Sequence, residues 1–337
     1  MSDASRTIRT KPRPRCLLCD SAGETLYQNR RDPLFGAPGT WNAKRCPKED
    51  CGLIWLDPTP VEEDLHLAYQ NYFTHDDDTG KSGGASQLRA VLYQIYRVGT
   101  SLPAALIGLL ASQKRMSRMF LDGITPGKLL DVGCGDGTYL NRMRGLGWTV
   151  EGVDFDAKAI TSAKKKYGLD LRSGDLASAG FPDNSFDAVT LSHVIEHVPD
   201  PIGLLTEAKR VLKPGGQLVV TTPNSGSYGH DTFRAHWFGF DPPRHLQLFS
   251  PKTLRETARR AGFQAIEASS TAANADIFIG GSCAIQDSAN HRLDAHPRPN
   301  LARTAKAMRL QYREHLHLRT APDSGEEAVL ICRNKSP

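Results

Sequence analysis

The stretch that decides the fold is "LLDVGCGDGTYL", Leu129 to Leu140, in which a short apolar run passes through three glycines into a helical pattern. Gly133, Gly135 and Gly137 form G-x-G-x-G, which differs from the G-x-G-x-x-G spacing of dinucleotide binders. Glycine at these positions lets a ligand approach backbone that a side chain would cover. No lysine follows the turn, which disfavours nucleoside triphosphates. The pattern predicts a strand, a glycine-rich binding turn and a helix.

Strand and helix patterns alternate around this turn. The strand patterns are "KLLDVG", "WTVEGVD", "LDLRSGD", "FDAVTLS" and "GGQLVVTTP", and helical patterns separate most of them. Such an alternation forms right-handed crossovers and a mostly parallel sheet covered on both faces. The tail adds a helix, a strand "FQAIEASSTAA", an insert at about residues 285–320 and a last strand "EEAVLICRN". We therefore predict an α/β domain over residues 126–337, with an antiparallel strand near one sheet edge.

Four of the seven cysteines cluster near the N-terminus as C-x2-C and C-x4-C pairs. They are Cys16, Cys19, Cys46 and Cys51. Clustered cysteines in a reducing compartment favour a metal over disulfides. Four thiolates suit tetrahedral zinc and leave no open position for a reacting water, so residues 16–60 are predicted to form a structural zinc ribbon. The alternative is four free thiols whose spacing is accidental.

Two more segments flank the predicted ribbon. Residues 1–15 are rich in arginine and lysine and are expected to be a disordered basic arm, with a nucleic-acid-binding arm as the alternative. Residues 61–125 have an interrupted helical pattern and are expected to be a connector. Its aromatic residues would form either a lid over a pocket or part of a core; they are Tyr69, Tyr72, Phe73, Tyr93 and Tyr96.

The composition is that of a globular protein, with 39% hydrophobic residues and a formal net charge of +5. No stretch reaches the ~20 apolar residues that cross a bilayer; the closest, residues 98–111, is interrupted by Pro103. The first residues have no apolar run behind their charges, which is unlike a secretory signal. We expect a soluble, cytoplasmic protein; the sequence leaves its oligomeric state open.

Five motifs in order resemble those of class I S-adenosylmethionine-dependent methyltransferases: "LLDVGCGDGTYL", "VEGVDFD", "SGDL", "FPDNSFDAVTLSHVIEHVPDP" and "VLKPGGQLVVTTPN". The resemblance covers about residues 115–270 and is closest to the branch that includes quinone-biosynthesis enzymes. The ribbon pattern and "HWFGFDPPRHLQLFSPKTL" resemble a subgroup that includes sugar C-methyltransferases. The resemblance implies a Rossmann-like, seven-stranded methyltransferase sheet that binds S-adenosylmethionine.

The expected cofactor contacts lie at the carboxyl ends of successive strands. Asp154 ends the second strand, where a carboxylate can accept two ribose hydroxyls, and Asp175 follows the third, near an adenine amine. The resemblance places Asp131, Gly133 and Gly135 at the methionine portion. The cofactor set is completed by Phe155, Leu176 and Ser192.

Methyl transfer needs alignment of the acceptor and removal of one proton from it. The first candidate for the general base is His245, whose ordinary pKa of about 6.5 suits this step; the alternative is a histidine that fixes its loop. His193 is expected either on the substrate side or against the cofactor, and Tyr228 is a further catalytic candidate. Arg244 is expected to hold a substrate anion or to form a structural ion pair.

His193, Glu196 and His197 spell H-x-x-E-H, a zinc-protease signature that requires a helix. Here the string follows a predicted strand and precedes a helix start at Asp200–Pro201, so we predict a loop. For Glu196 and His197 one interpretation is a structural turn. The other comes from relatives that bind a divalent ion here, which gathers a catechol or a ribose diol; such relatives have a glutamate in place of His193.

The predicted function is methyl transfer to carbon or oxygen of a small molecule, either a sugar nucleotide or another secondary metabolite. The alternative is a zinc-ribbon RNA methyltransferase, favoured by the basic arm. Against RNA, the basic residues of the ribbon are balanced by acidic ones rather than interleaved with aromatics; they are Lys44, Arg45 and Lys48 against Glu49, Asp50 and Asp57. A third possibility is a non-catalytic scaffold, which the complete set of cofactor motifs disfavours.

Overall fold

The computed structural model describes residues 7–70, 108–287 and 301–334. The strands are β1 (Thr10–Lys11), β2 (Glu24–Arg30), β3 (Trp41–Arg45), β4 (Ile54–Leu56), β5 (Thr59–Pro60), β6 (Lys128–Val132), β7 (Thr149–Asp154), β8 (Arg172–Ser173), β9 (Phe186–Ser192), β10 (Leu212–Pro223), β11 (Gln247–Leu248), β12 (Ala265–Thr271) and β13 (Glu327–Arg333). The α-helices are α1 (Leu109–Ser117), α2 (Thr138–Gly145), α3 (Ala157–Tyr167), α4 (Pro201–Val211), α5 (Tyr228–Phe233), α6 (Pro251–Arg260), α7 (Ala275–Asp287) and α8 (Leu301–His317). Short 3-10 helices span Glu62–Tyr69 and Arg234–His236.

The main sheet has seven strands in the order β12-β13-β10-β9-β6-β7-β8. β9 and β10 are almost wholly buried, as expected of apolar strands covered on both faces. The last strand, β13, runs antiparallel between β10 and β12, next to the sheet edge. The predicted Rossmann-like, seven-stranded α/β sheet with an antiparallel strand near one edge is confirmed.

The helix starts follow the local signals of the sequence. The side chain of Asp156 caps α3 by accepting from Lys158 N, and Asp200 caps α4, with Pro201 in its first turn. Residues 193–200 form turns and no helix, so the loop predicted for the H-x-x-E-H string is confirmed. This loop directly continues β9 at the carboxyl edge of the sheet.

The N-terminal region shares both a sheet and a core with the α/β domain. A second sheet has the order β11-β4-β3-β2, in which Gln247 and Leu248 pair with Trp55 and Ile54. Cys16, Cys46 and Trp55 belong to the same buried cluster as residues of the seven-stranded sheet. The ribbon is therefore built onto the α/β domain.

Most of the basic arm is ordered, which corrects the expectation of disorder over residues 1–15. Thr10 pairs with Pro60 in a two-stranded sheet of β1 and β5. The guanidinium of Arg9 donates to Asp64, and Arg13 N donates to Asp57 at 2.8 Å. The physical reason is that carboxylates 44 to 55 residues downstream accept from this segment, Asp64 from the Arg9 guanidinium and Asp57 from the backbone N–H of Arg13. Residues 1–6 lie outside the described part.

The connector is described only at its two ends, Glu62–Tyr69 and α1. Of the five aromatic residues considered for a lid, Tyr69 is described, while Tyr72, Phe73, Tyr93 and Tyr96 lie outside the described residues. The predicted insert contains the end of α7 and all of α8. Within the described ranges, no helix is long and apolar enough to span a membrane.

Candidate active site

The glycine turn after β6 lies against the loop that follows β9. Gly133 has φ +72°, and a Cβ added there would collide with the Val194 side chain. Gly135 also has a positive φ and donates its N–H to Asp154 Oδ2 at 2.7 Å. Two loops from different strands thus approach each other closely because the turn has no side chains.

Asp154 and Phe155 stand at the carboxyl end of β7. Asp154 Oδ1 accepts from Asp156 N at 2.8 Å, so backbone donors fix both carboxylate oxygens while each keeps a lone pair. The Phe155 ring is 74% exposed. A half-buried carboxylate beside an open aromatic face fits the ribose and the base of a nucleoside.

Asp131 lies behind the glycine turn and is buried, with Thr190 donating to its Oδ1 at 2.6 Å. Burial, and then the nearby Asp154, raise the pKa of Asp131 to about 7. Asp175 is exposed and accepts from Ser178 N, whereas the Leu176 side chain is 2% exposed and packs in the core. Of the predicted cofactor set, Leu176 therefore has its side chain turned inward.

His193 is held between two carboxylates at the carboxyl edge of the sheet. Its Nε2 lies 2.9 Å from Oε1 of Glu327, its Nδ1 lies 3.3 Å from Oε1 of Glu196, and both carboxylates are fully buried. Burial alone would lower the pKa of His193, but the two carboxylates outweigh it and raise the pKa to about 10. His193 is thus an imidazolium at neutral pH, with a left-handed backbone φ of +53°.

Glu327 is a site residue that the sequence reading missed. It begins β13 and its other oxygen accepts from Asn274 Nδ2 at 2.9 Å. The available signal was the pair Glu326–Glu327 at the start of the predicted last, apolar strand, since carboxylates that become buried need partners. The partner, His193, lies 134 residues away in sequence.

Glu196, His197 and His245 converge beside His193. One nitrogen of each imidazole and one Glu196 oxygen lie within 4.8 Å of one another. His197 Nδ1 is 3.0 Å from Arg244 O and 2.8 Å from Tyr69 OH, and His245 Nδ1 is 2.8 Å from Gly239 O, so a carbonyl acceptor faces each Nδ1. With Nδ1 protonated, each Nε2 keeps its lone pair, as in histidines that bind metals.

Two further properties of this cluster suit a cation. Oε1 of Glu196 is buried and faces the Nδ1 of His193, at 3.3 Å, while its Oε2 accepts from Thr222 Oγ1 at 2.9 Å. Burial, and then the electrostatic effect of the neighbouring His245, lower the pKa of His197 to about 4, so the His197 ring is neutral at pH 7. The three side chains form a two-histidine, one-carboxylate donor set.

The four N-terminal cysteines come together as predicted. The Sγ atoms of Cys16 and Cys51 are 3.6 Å apart, those of Cys19 and Cys46 are 3.3 Å apart, and all four lie within 4.8 Å of one another. Tetrahedral zinc with Zn–S bonds of about 2.3 Å needs sulfur atoms slightly under 4 Å apart. The residues therefore fit a zinc ion with all four positions filled by protein.

Two predicted catalytic-side residues have structural partners. Arg244 is fully buried and forms ion pairs with Asp241 and Asp32, so it is engaged within the protein rather than open to a substrate anion. Tyr228 begins α5, its N–H donates to Ser324 O at 2.8 Å, and its ring lies 6.2 Å from that of His317. Ser192, the last residue of β9, accepts from Thr221 Oγ1 at 3.3 Å.

Comparison with known proteins agrees with this arrangement. A family model described as a methyltransferase domain matches residues 108–268. The chain is 34% identical over 153 residues to a ubiquinone biosynthesis O-methyltransferase of Thiobacillus denitrificans, covering 42% of this chain and 66% of that one. It is 37% identical over 124 residues to a demethylmenaquinone methyltransferase of Renibacterium salmoninarum, covering 36% of this chain and 50% of that one.

The chain therefore spans between half and two thirds of the length of these two relatives. A crystal structure of a SAM dependent methyltransferase from Archaeoglobus fulgidus aligns with a TM-score of 0.44 and 19% identity, covering 67% of this chain and 94% of that one. Through residues 108–268, the chain belongs to the class I S-adenosylmethionine-dependent methyltransferases.

Proposed function

We propose that this protein transfers a methyl group from S-adenosylmethionine to a hydroxyl oxygen of a small molecule that carries two neighbouring hydroxyls, such as a catechol. The observation that carries the proposal is the cluster of Glu196, His197 and His245, whose donor atoms lie within 4.8 Å of one another. The name of the relative from Thiobacillus denitrificans, an O-methyltransferase of ubiquinone biosynthesis, supports oxygen over carbon.

The cofactor would lie across the carboxyl ends of β6 and β7. Gly133 and Gly135 leave the backbone open to the methionine portion, and Asp154 would accept from the ribose hydroxyls. The exposed Phe155 ring offers a face for the adenine, and Asp175 stands at the next strand end. Asp131 contributes negative charge behind the turn once it loses its proton.

The acceptor would lie beside the loop that follows β9. The high pKa of His193 excludes it as a general base at neutral pH, so its role is that of a fixed positive group beside the acceptor. His197, whose ring is neutral at pH 7, and His245 each face a backbone carbonyl with Nδ1, which leaves Nε2 for the acceptor side. With Glu196, they would hold a divalent cation; a bound cation would lower the pKa of an acceptor hydroxyl.

Without a cation, Nε2 of His245 is itself a proton acceptor, which is the general-base role predicted from the sequence. Tyr228 remains a candidate for contact with the acceptor. The four cysteines would hold a structural zinc, because a closed tetrahedral thiolate site has no position for a substrate.

A small-molecule acceptor fits the N-terminal region better than RNA. Two of its basic residues face carboxylates within the protein: Arg9 pairs with Asp64 and Lys44 with Asp57, at 2.9 and 2.7 Å. Paired cations have little charge left to offer to phosphates. This supports the ribbon as a part of the enzyme scaffold.

The test is transfer of radiolabelled methyl from S-adenosylmethionine to 3,4-dihydroxybenzoate, with a nucleoside diphosphate sugar and total RNA as competing probes. We expect label on a catechol oxygen that depends on added divalent cation. Label on the sugar or the RNA alone would refute the catechol assignment.

The metal assignment is tested separately by Co²⁺ titration of the zinc-loaded protein. His245→Gln should abolish the one equivalent of Co²⁺ that binds in addition to the zinc, while His236→Gln, a histidine outside the cluster, should keep it. Transfer that is unaffected by chelator but lost in His245→Gln would instead assign His245 as the general base.

A further inference from the structure

Residues of the N-terminal region contact the acceptor side of the site directly. Tyr69 OH lies 2.8 Å from His197 Nδ1, and Tyr27 OH lies 2.8 Å from His230 Nε2. β4 of the ribbon pairs with β11, which begins two residues after His245. The N-terminal region is therefore in a position to fix the geometry of the histidines.

The deepest of these contacts is the ion pair between Asp32 and Arg244. Arg244 Nη1 donates to Asp32 Oδ2 at 2.9 Å and to Ala68 O at 3.0 Å, and both charged side chains are fully buried. The remaining guanidinium donors hold Asp241, and the Phe35 ring lies 4.7 Å from Arg244 Cζ. Every side of the guanidinium is thus occupied by a fixed partner.

Asp32 is itself held in place by the turn that follows it. Its Oδ1 accepts from Leu34 N at 2.8 Å and from Phe35 N at 3.1 Å, and its Oδ2 accepts from Ala37 N at 2.8 Å. The carboxylate therefore meets Arg244 as a preformed group and needs no rearrangement.

The backbone of Arg244 connects the fixed guanidinium to the histidines by hydrogen bonds. Its carbonyl accepts from His197 Nδ1, and the next residue, His245, donates its N–H to Asp241 O at 2.9 Å. Leu246 N donates to Glu196 O at 2.8 Å. A shift of Arg244 would therefore move all three members of the histidine–carboxylate cluster.

We propose that Asp32 is a positioning residue for the acceptor site: through Arg244, it fixes the orientation of His197 and His245. Asp32 lies 212 residues before Arg244 and touches neither ring itself. The proposal rests on the proposed function only in assigning these histidines to the acceptor side. It makes the ribbon a structural requirement of acceptor binding and not of cofactor binding.

The experiment compares Asp32→Asn with a matched ribbon variant, Asp57→Asn, in the full-length, zinc-loaded protein. Asp57 also pairs with a cation, Lys44, and accepts from a backbone N–H, Arg13 N, but it has no contact with Arg244. The main readout is the set of ring nitrogen signals of His197 and His245 in ¹⁵N NMR, assigned with His197→Gln and His245→Gln. Calorimetry with S-adenosylhomocysteine reports the cofactor side.

For Asp32→Asn we expect shifted or broadened signals of both rings, at least a tenfold loss of methyl transfer to the catechol, and affinity for S-adenosylhomocysteine within twofold of wild type. Asp57→Asn should keep the wild-type ring signals. Unchanged signals in Asp32→Asn, or equal changes in both variants, would overturn the positioning role, because the effect would then be absent or merely a loss of stability.

If Asp32→Asn does not fold, Phe35→Leu takes its place, since it loosens the same guanidinium without removing a charge. The same shift of both ring signals is expected, and its absence overturns the proposal. A wild-type protein that fails to methylate the catechol would refute the proposed function, while the NMR comparison would still decide the role of Asp32.

Discussion

The cofactor side and the acceptor side of this site are built in different ways. The cofactor side consists of residues at the ends of β6, β7 and β8, within about 45 residues of sequence between Asp131 and Asp175. The acceptor side joins residues from Asp32 to Glu327, brought together by strand order and by the shared sheet of β4 and β11. A local motif can form a cofactor site on any similar sheet, whereas the acceptor side requires the whole chain to fold.

The prediction with the largest expected effect concerns the loss of zinc from the ribbon. Cys19→Ser should abolish zinc binding and lower Tm by about 10 °C or more, because structural zinc sites contribute several kcal/mol to folding. Metal analysis and a thermal melt measure both effects. Cys283→Ala, which alters a buried cysteine in α7, should keep the zinc. A full zinc content in Cys19→Ser would contradict the four-thiolate site.

The next test addresses the cofactor side alone. Asp154→Ala should weaken binding of S-adenosylhomocysteine about 100-fold, because a carboxylate that accepts two hydroxyls contributes about 3 kcal/mol. Asp170→Asn, at an exposed carboxylate paired with Lys164, is the control. Calorimetry provides the measurement; an unchanged affinity in Asp154→Ala would remove the ribose assignment. The ring signals of His197 and His245 should stay as in wild type.

The third prediction concerns the ion pairs of His193 on the acceptor side. Glu327→Gln should lower the pKa of His193 from about 10 and destabilise the protein by about 1–2 kcal/mol, a value reduced for the partly exposed ring. In the wild type this stability is fully present below the ordinary pKa of about 6.5 and is lost as pH rises through about 10.

Denaturant unfolding between pH 6 and 10 measures the loss of the stability that the His193 ion pairs contribute. Glu327→Gln should flatten the decline of stability over this range. Glu207→Gln, at a surface ion pair with Arg210, should leave the decline as in wild type. Parallel curves for wild type and Glu327→Gln would mean that His193 is not charged by this carboxylate.

The smallest expected effect is the pH dependence from Asp131. Burial raises the pKa of Asp131 to about 7. The contribution of Asp131 to the free energy of unfolding is therefore fully present below about pH 4 and is lost as pH rises through 7. Between pH 6 and 8 the cofactor-free protein should lose about 1 kcal/mol. Asp131→Asn should remove this loss; an equal decline in thermal melts of both proteins would argue against it.

The sequence predicted most of the fold because its signals are local. Alternating strands and helices, the glycine-rich turn after the first strand of the α/β domain and the Asp200–Pro201 helix start depend on short-range backbone preferences, and each was confirmed. The disorder expected of residues 1–15 was wrong for residues 7–15, because the carboxylates that accept from the Arg9 guanidinium and from the Arg13 backbone N–H lie far along the chain. Charge counting within a segment does not reveal such partners.

For the site, the sequence by itself determined which residue types stand at the strand ends: Asp131, Asp154 and Asp175, the glycines, and the histidines after β9. Only the tertiary structure decided the protonation and the orientation of these side chains. Glu327 makes His193 a cation, the carbonyls of Arg244 and Gly239 orient His197 and His245, and Asp32 holds Arg244. The physical reason is that protonation and ring orientation depend on burial and on charges within a few ångströms, and distance in space is set by strand order rather than by sequence separation.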